Sequence, residues 1–183
     1  LGASFAGAEW GAGTMSTLLT WEPRRWRVLT SKVVAGVVFV IAGTVVAQAL
    51  MGFALVPAAI LRGTTEGAGS VWLWDTVLVG LRGAGVAGVA AAIGFAVASV
   101  ARNTAAAIVV GFLYLSVIEG LIRGFRPRWQ PWLLGDNAAL FVVGEREFAD
   151  LHHSAGVAGL ILLAYALGAV AIALGVFRAR DVT

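Results

Sequence analysis

The densest run of chemistry-bearing side chains in this 183-residue chain is Glu145-x-Glu147-x-x-Asp150-x-His152-His153. Histidine and carboxylate are the ligand types of divalent-metal sites. Adjacent histidines, however, point to different faces of any regular element, and the spacing matches no motif with a defined mechanism. The run reads as a solvated helix end with its histidines near lipid headgroups, and no metal site is expected. A second candidate is Glu119, the one acid inside a long apolar run, with Arg123 four positions on. A carboxylate at that depth is costly and marks either function or pairing. The i,i+4 spacing suits an ion pair, with a direct role in a transport pathway as the alternative. A third is Arg82, about one turn inside another apolar run, where it either snorkels to the interface or contacts substrate.

Several chemistries are excluded. The chain has no cysteine, so thiolate nucleophiles, thiolate metal sites and disulfides are ruled out. No glycine-rich loop ends in Lys-Ser/Thr, so ATP cannot be held in the Walker manner. Both histidines sit together with no serine elbow, and Glu119 has no second acid beside it. No catalytic residue, no metal and no cofactor of the chain's own is therefore expected, and the chain does not read as an enzyme.

The elements that position these residues follow from composition. Hydrophobic residues make up 60% of the chain and charged ones 13%, against about 25% charged in soluble domains. Mean hydropathy is +0.90. The apolar residues fall in runs near the ~20 residues needed to cross a bilayer. The expected fold is all-α, a polytopic transmembrane helix bundle forming a single domain over 1–183. Spans are predicted at about 33–56, 77–101, 105–122 and 155–177. Gln48 is the only strongly polar side chain of the first span, and Pro57 with the Arg62–Gly67 cluster is expected to end it in a polar turn. Trp72 and Trp74 beside Asp75 read as interfacial anchors. The second span carries a row of small residues at every fourth position, Gly80, Ala84, Gly88, Ala92 and Ala96, a candidate helix-packing face. Residues 123–154 are too long for mere connection. Their Pro-Arg-Trp-Gln-Pro-Trp opening and short apolar run predict outer interfacial or re-entrant helices.

The stretch from Glu9 to Lys32 is neither a span nor an outer loop. It opens with a Gly11-Ala12-Gly13-Thr14 turn and continues with Met15, Leu18 and Leu19 on one helical face. Pro23 ends that helix and starts another. The second helix carries Arg24, Arg25, Arg27 and Lys32 straight into the first span. By composition this is either a generic juxtamembrane helix or a docking element for a soluble partner. The preceding residues, Leu1 to Ala8, read as the last turns of an earlier apolar helix, not as a signal peptide.

In order and spacing, Glu9, Gly13, Thr14, Leu18, Leu19, Arg25 and Lys32 resemble the membrane subunits of ATP-binding-cassette (ABC) exporters of the type 2 permease class. The resemblance implies that 9–32 is the cytoplasmic coupling helix with its elbow, contacting a separate ATPase subunit through Glu9, Gly13, Thr14, Met15, Leu18, Leu19, Arg24 and Arg25. It implies ATP and Mg on that partner, a second permease subunit, identical or homologous, and six spans, two of them before the coupling helix. The chain would then begin nearly two helices into such a subunit. Short helices between the last two spans, and a Glu near the end of the fifth, are also similar to that class.

Charge gives the orientation. Arg24, Arg25, Arg27, Lys32, Arg102, Arg178 and Arg180 fall on one side; Arg62, Arg82, Arg123, Arg126, Arg128 and Arg146 fall on the other. Seven against six is nearly balanced, and the elbow cluster close to a span end tips it, making that side and the C-terminus cytoplasmic. The basic residues belong to membrane topology, so no nucleic acid is expected as a partner. The expected function is a permease subunit in a bacterial plasma membrane, exporting a substrate for which the alanine, valine and glycine wall suits lipophilic character. Glu119, Arg82 and Arg123 would lie near its outer gate. The alternative is a non-transport integral membrane protein, structural or an intramembrane enzyme. A secondary transporter would show inverted repeats with broken helices, and none is visible.

Overall fold

The computed structural model describes residues 2–4, 25–63, 69–144 and 153–179. Among them every regular element is helical: α1 (Arg25–Arg62), α2 (Ser70–Ala101), α3 (Thr104–Phe125), a 3-10 segment (Pro127–Trp132), α4 (Leu134–Val143) and α5 (Ala155–Ala179). Four of these, α1, α2, α3 and α5, are long and apolar enough to cross a membrane. Backbone groups in a bilayer must be satisfied within the segment, and a helix does this for any apolar sequence. Even the hydroxyls comply. Thr30, Thr44 and Thr76 each donate to the carbonyl four residues back, at 2.7–2.8 Å.

The spans are longer than their apolar runs predicted. α1 does not stop at Pro57 but carries it inside and continues to Arg62. Proline costs about 3 kcal/mol inside a helix in water, but unwinding this exposed apolar rod would orphan several backbone groups instead of one. At its start α1 runs without a break from the basic Arg25–Lys32 stretch into the apolar run, making one rod of 38 residues. α2 ends at Arg102 in the left-handed conformation (φ 53°), and Asn103 caps α3 by accepting from the Ala106 amide at 3.2 Å. The 123–154 stretch contains the 3-10 segment and α4, both short. Of the coupling and elbow segment expected at 9–32, residues 9–24 lie outside the described residues, and 25–32 are the start of α1.

α1 and α3 run away from the elbow end; α2 and α5 run back toward it. Leu29, Val33, Phe95, Ala96, Ala98, Ala107, Ala173 and Phe177 form one buried cluster at the elbow end. A smaller cluster, Leu140 and Ala158 with Phe141, lies at the far end. Outward, the surface is apolar: Phe53 is 76% and Leu61 80% exposed. Contiguous apolar surface on this scale suits hydrocarbon and would aggregate in water. Residues 2–4 lie against α2, with Gly2 so close to the Ala91 backbone that a side chain would not fit and Ala3 beside Gly94.

Candidate functional site

At the far end, α4 lacks a capping side chain of its own. Its N-cap is Leu133, with no side-chain hydrogen bond. The first amides of a helix need acceptors, and here α3 supplies them. The Gly135 amide donates to both carboxylate oxygens of Glu119, at 3.0 and 3.1 Å. The Tyr114 hydroxyl lies near the Glu119 carboxylate and the Leu134 backbone. Glu119 is 1% exposed, and the partial positive charge of the helix terminus attracts its carboxylate. A side chain at position 135 would force the carboxylate to shift, since a Cβ there would stand 2.5 Å from Glu119 Oε2.

A local irregularity aligns Tyr114 with Glu119. Residues Tyr114–Ile118 form a π turn, closed by the Glu119 amide donating to the Tyr114 carbonyl. Five positions apart on a regular α-helix lie about 140° round the axis, whereas i→i+5 bonding stacks them on one face. Single π turns inside α-helices frequently accompany functional sites.

Further contacts fasten the same hairpin. Arg123 pairs with Asp136, Nη2 to Oδ1 at 2.6 Å. The expected Glu119–Arg123 pair is thus replaced: each residue is taken by a neighbour on α4. The Asn137 side chain is fully buried, donates to the Pro131 and Leu133 carbonyls at 2.9 and 2.7 Å, and accepts from His153 Nε2 at 2.9 Å. From α5, the Tyr165 hydroxyl donates to the Trp132 carbonyl at 2.8 Å. The result is a helical hairpin tied to α3 and α5 by polar contacts.

Arg82 stands apart from this network. Its guanidinium lies 6.0 Å from the Phe141 ring centre, and it lines a cavity of about 420 Å³ with Asp75, Val143 and Ala155. The small-residue row of α2 faces its neighbours. Ala84, Gly88, Ala92 and Ala96 are buried, Gly88 lies against Ile41 and Val37 of α1, and Gly80 lies against Gln48. So the one strongly polar side chain of the first span rests on the backbone of the second, over Gly80 and Gly83.

No protein-family model, curated protein or solved structure matches the chain.

Of the residues singled out by sequence, Glu9, Gly13, Thr14, Met15, Leu18, Leu19 and Arg24 lie outside the described residues. So do Glu145, Glu147, Asp150 and His152. Arg25 is the first residue of α1. No group of three or more His, Asp or Glu placed to hold a metal occurs among the described residues. Tyr114, Gly135, Asn137 and Tyr165 were not legible as site residues. The one available signal was Asp136-Asn137, two strongly polar residues set in the apolar run Leu133–Val143.

Proposed function

We propose that the chain is the membrane-spanning subunit of an ATP-driven exporter of the ABC type 2 class. ATP and Mg bind a separate ATPase subunit, and a second permease subunit completes the pathway. In this reading the chain sits in a bacterial plasma membrane with the elbow and C-terminus cytoplasmic. The observation that carries it is the unbroken α1 helix, in which the basic Arg25–Lys32 foot and the first span are one rod. A displacement applied at the foot is then delivered to the bundle undiminished. An ATPase dimer that favours one arrangement of the spans shifts the equilibrium toward it, and hydrolysis releases it. The glycine and alanine face of α2 suits spans that slide against one another, because small side chains leave little to interlock. The hairpin held by Glu119 would form part of the gate opposite the ATPase.

The experiment is co-purification from the native host. The tagged chain is expected to retain an ATP-hydrolysing subunit and to lose it when Leu18 and Leu19 are both changed to Glu. A stable chain that retains no such subunit sinks the proposal. If its activity then follows His152 or His153, the non-transport alternative takes its place.

A further inference from the structure

Three cavities follow one another along the α2–α5 side of the bundle, and their lining changes from charged to apolar. The first, about 420 Å³, is lined by Asp75 and Arg82 of α2 with Gly144 and Ala155 beside them. The second, about 310 Å³, begins one turn further along α2 and one residue further along α5, at Gly85 and Gly156, with Phe141 in its wall. The third, about 460 Å³, shares Gly85, Val89 and Leu163 with the second and reaches Ala92, Val170 and Val33 of α1. Val34, Val38 and Leu167 on its rim are 60%, 59% and 68% exposed, so it opens sideways along its length. Residues 2–4 do not fill it. They lie against Ala91 and Gly94, and Gly94 is about 180° round α2 from Gly85.

Two charges of opposite sign line the mouth. Asp75 and Arg82 are seven positions apart on one face of α2 and form no ion pair with each other or with another described residue. Asp75 is exposed and Arg82 half-buried, so both can meet the charges of a ligand at this mouth. From Arg82 to Ala92 the helix rises about 15 Å, the depth of one leaflet in a hydrocarbon core about 30 Å thick. A concave apolar slot with a few placed polar groups at one end is the ordinary form of a small-molecule site.

We infer that this trough binds one zwitterionic glycerophospholipid. Its phosphate lies at the Arg82 guanidinium, whose fork of donors suits phosphate oxygens; its ammonium lies at Asp75, and one acyl chain fills the cleft between α1, α2 and α5. Phe141 stands where headgroup gives way to chain. The site needs only a bilayer around the bundle and does not depend on the exporter reading.

Native mass spectrometry tests it on the full chain, extracted from membranes holding equal phosphatidylethanolamine and phosphatidylglycerol. The wild-type chain is expected to retain one phosphatidylethanolamine at least five-fold over phosphatidylglycerol. Arg82→Gln reduces retention of either lipid at least ten-fold. Asp75→Asn removes the partner of the ammonium and reverses the preference toward the anionic lipid. Leu163→Trp from α5, or Val89→Phe from α2, fills the cleft and lowers both lipids alike. Val109→Trp, on the outer face of α3, leaves retention unchanged. Equal retention of the two lipids by the wild-type chain overturns the inference, as does undiminished retention when both cleft variants are tested.

Discussion

At the elbow end, α1, α2 and α5 meet through Leu29, Val33, Phe95, Ala96 and Phe177, and the buried Ser99 hydroxyl has no hydrogen-bond partner among the described residues. At the far end, α3, α4 and α5 meet through Glu119, Arg123, Asp136, Asn137 and Tyr165, each with a named partner. Buried apolar side chains make up the core of the first junction, and directed bonds join the elements of the second. In hydrocarbon, apolar side chains gain nothing by leaving lipid for one another, so close packing of small residues has to hold the first. Such contacts tolerate sliding. Directed bonds do not, because a buried polar group moved off its partner loses its hydrogen bond without compensation. The difference gives the bundle a compliant end near the foot of α1 and a latched end opposite.

Removing the latch should produce the largest effect. Glu119→Leu leaves the Gly135 amide without its acceptor; a hydrogen bond to a charged group is worth about 1.5–3 kcal/mol. The expected result is a loss of about that size in thermal or denaturant unfolding in micelles, with Glu119→Gln losing less because one carbonyl oxygen can still accept. A Glu119→Leu chain that unfolds like wild type would remove the contrast between the two ends.

Gly135→Ala comes next. Its Cβ would stand 2.5 Å from Glu119 Oε2, and forcing an extra carbon into a filled site costs about 1–3 kcal/mol. The cost should nearly vanish in a Glu119→Ala background, since the obstructing carboxylate is gone. A double-mutant cycle is therefore expected to give a coupling of about 1 kcal/mol or more. Simple additivity would mean that Gly135 serves the α4 backbone rather than the carboxylate.

Arg123→Gln sharpens the comparison in the other direction. The Arg123 side chain is 47% exposed and its Asp136 partner 10%, and half-exposed ion pairs contribute about 0.2–1 kcal/mol. The loss should therefore fall well short of that for Glu119→Leu, although both residues hold the same hairpin. Equal losses would place the latch in the ion pair and make the buried carboxylate secondary.

How much of this was legible beforehand depended on the range of the interaction involved. The four long helices follow from run length and hydropathy, which are local properties, and the small-residue row follows from a four-residue period. Pro57 signals a helix end only in water, where an interrupted helix can hydrogen-bond to solvent. Glu119 was visible as an anomaly, but its partner was not. The i,i+4 rule proposes Arg123, while the amide that takes the carboxylate is sixteen positions on, in a hairpin whose placement no local spacing reveals. The π turn at Tyr114–Ile118 is hidden for the same reason: the bonds it serves are tertiary, and YLSVI carries no glycine or proline to announce it.

The smallest effect belongs to the compliant end. At Gly88 an added Cβ would come within 2.8 Å of Ile41 Cδ1 and Cγ1 and 3.4 Å of Val37 Cγ1. These are ends of side chains rather than backbone, and Ile41 can shift along the open cleft beside it. Alanine also favours a helix over glycine by about 1 kcal/mol, so Gly88→Ala is expected to change stability by less than about 0.5 kcal/mol. In an Ile41→Ala background both obstructing carbons, Cδ1 and Cγ1, are absent, and the same change should become stabilising by about 0.5–1 kcal/mol, since the propensity gain is then opposed by less. The measurement is the shift between Ile41→Ala and the double variant, against the shift between wild type and Gly88→Ala. Should Gly88→Ala instead cost as much as Gly135→Ala, the α1–α2 seam fits as tightly as the latch. Sliding at that seam would then require repacking Ile41, and α1 could not act as a freely transmitted lever.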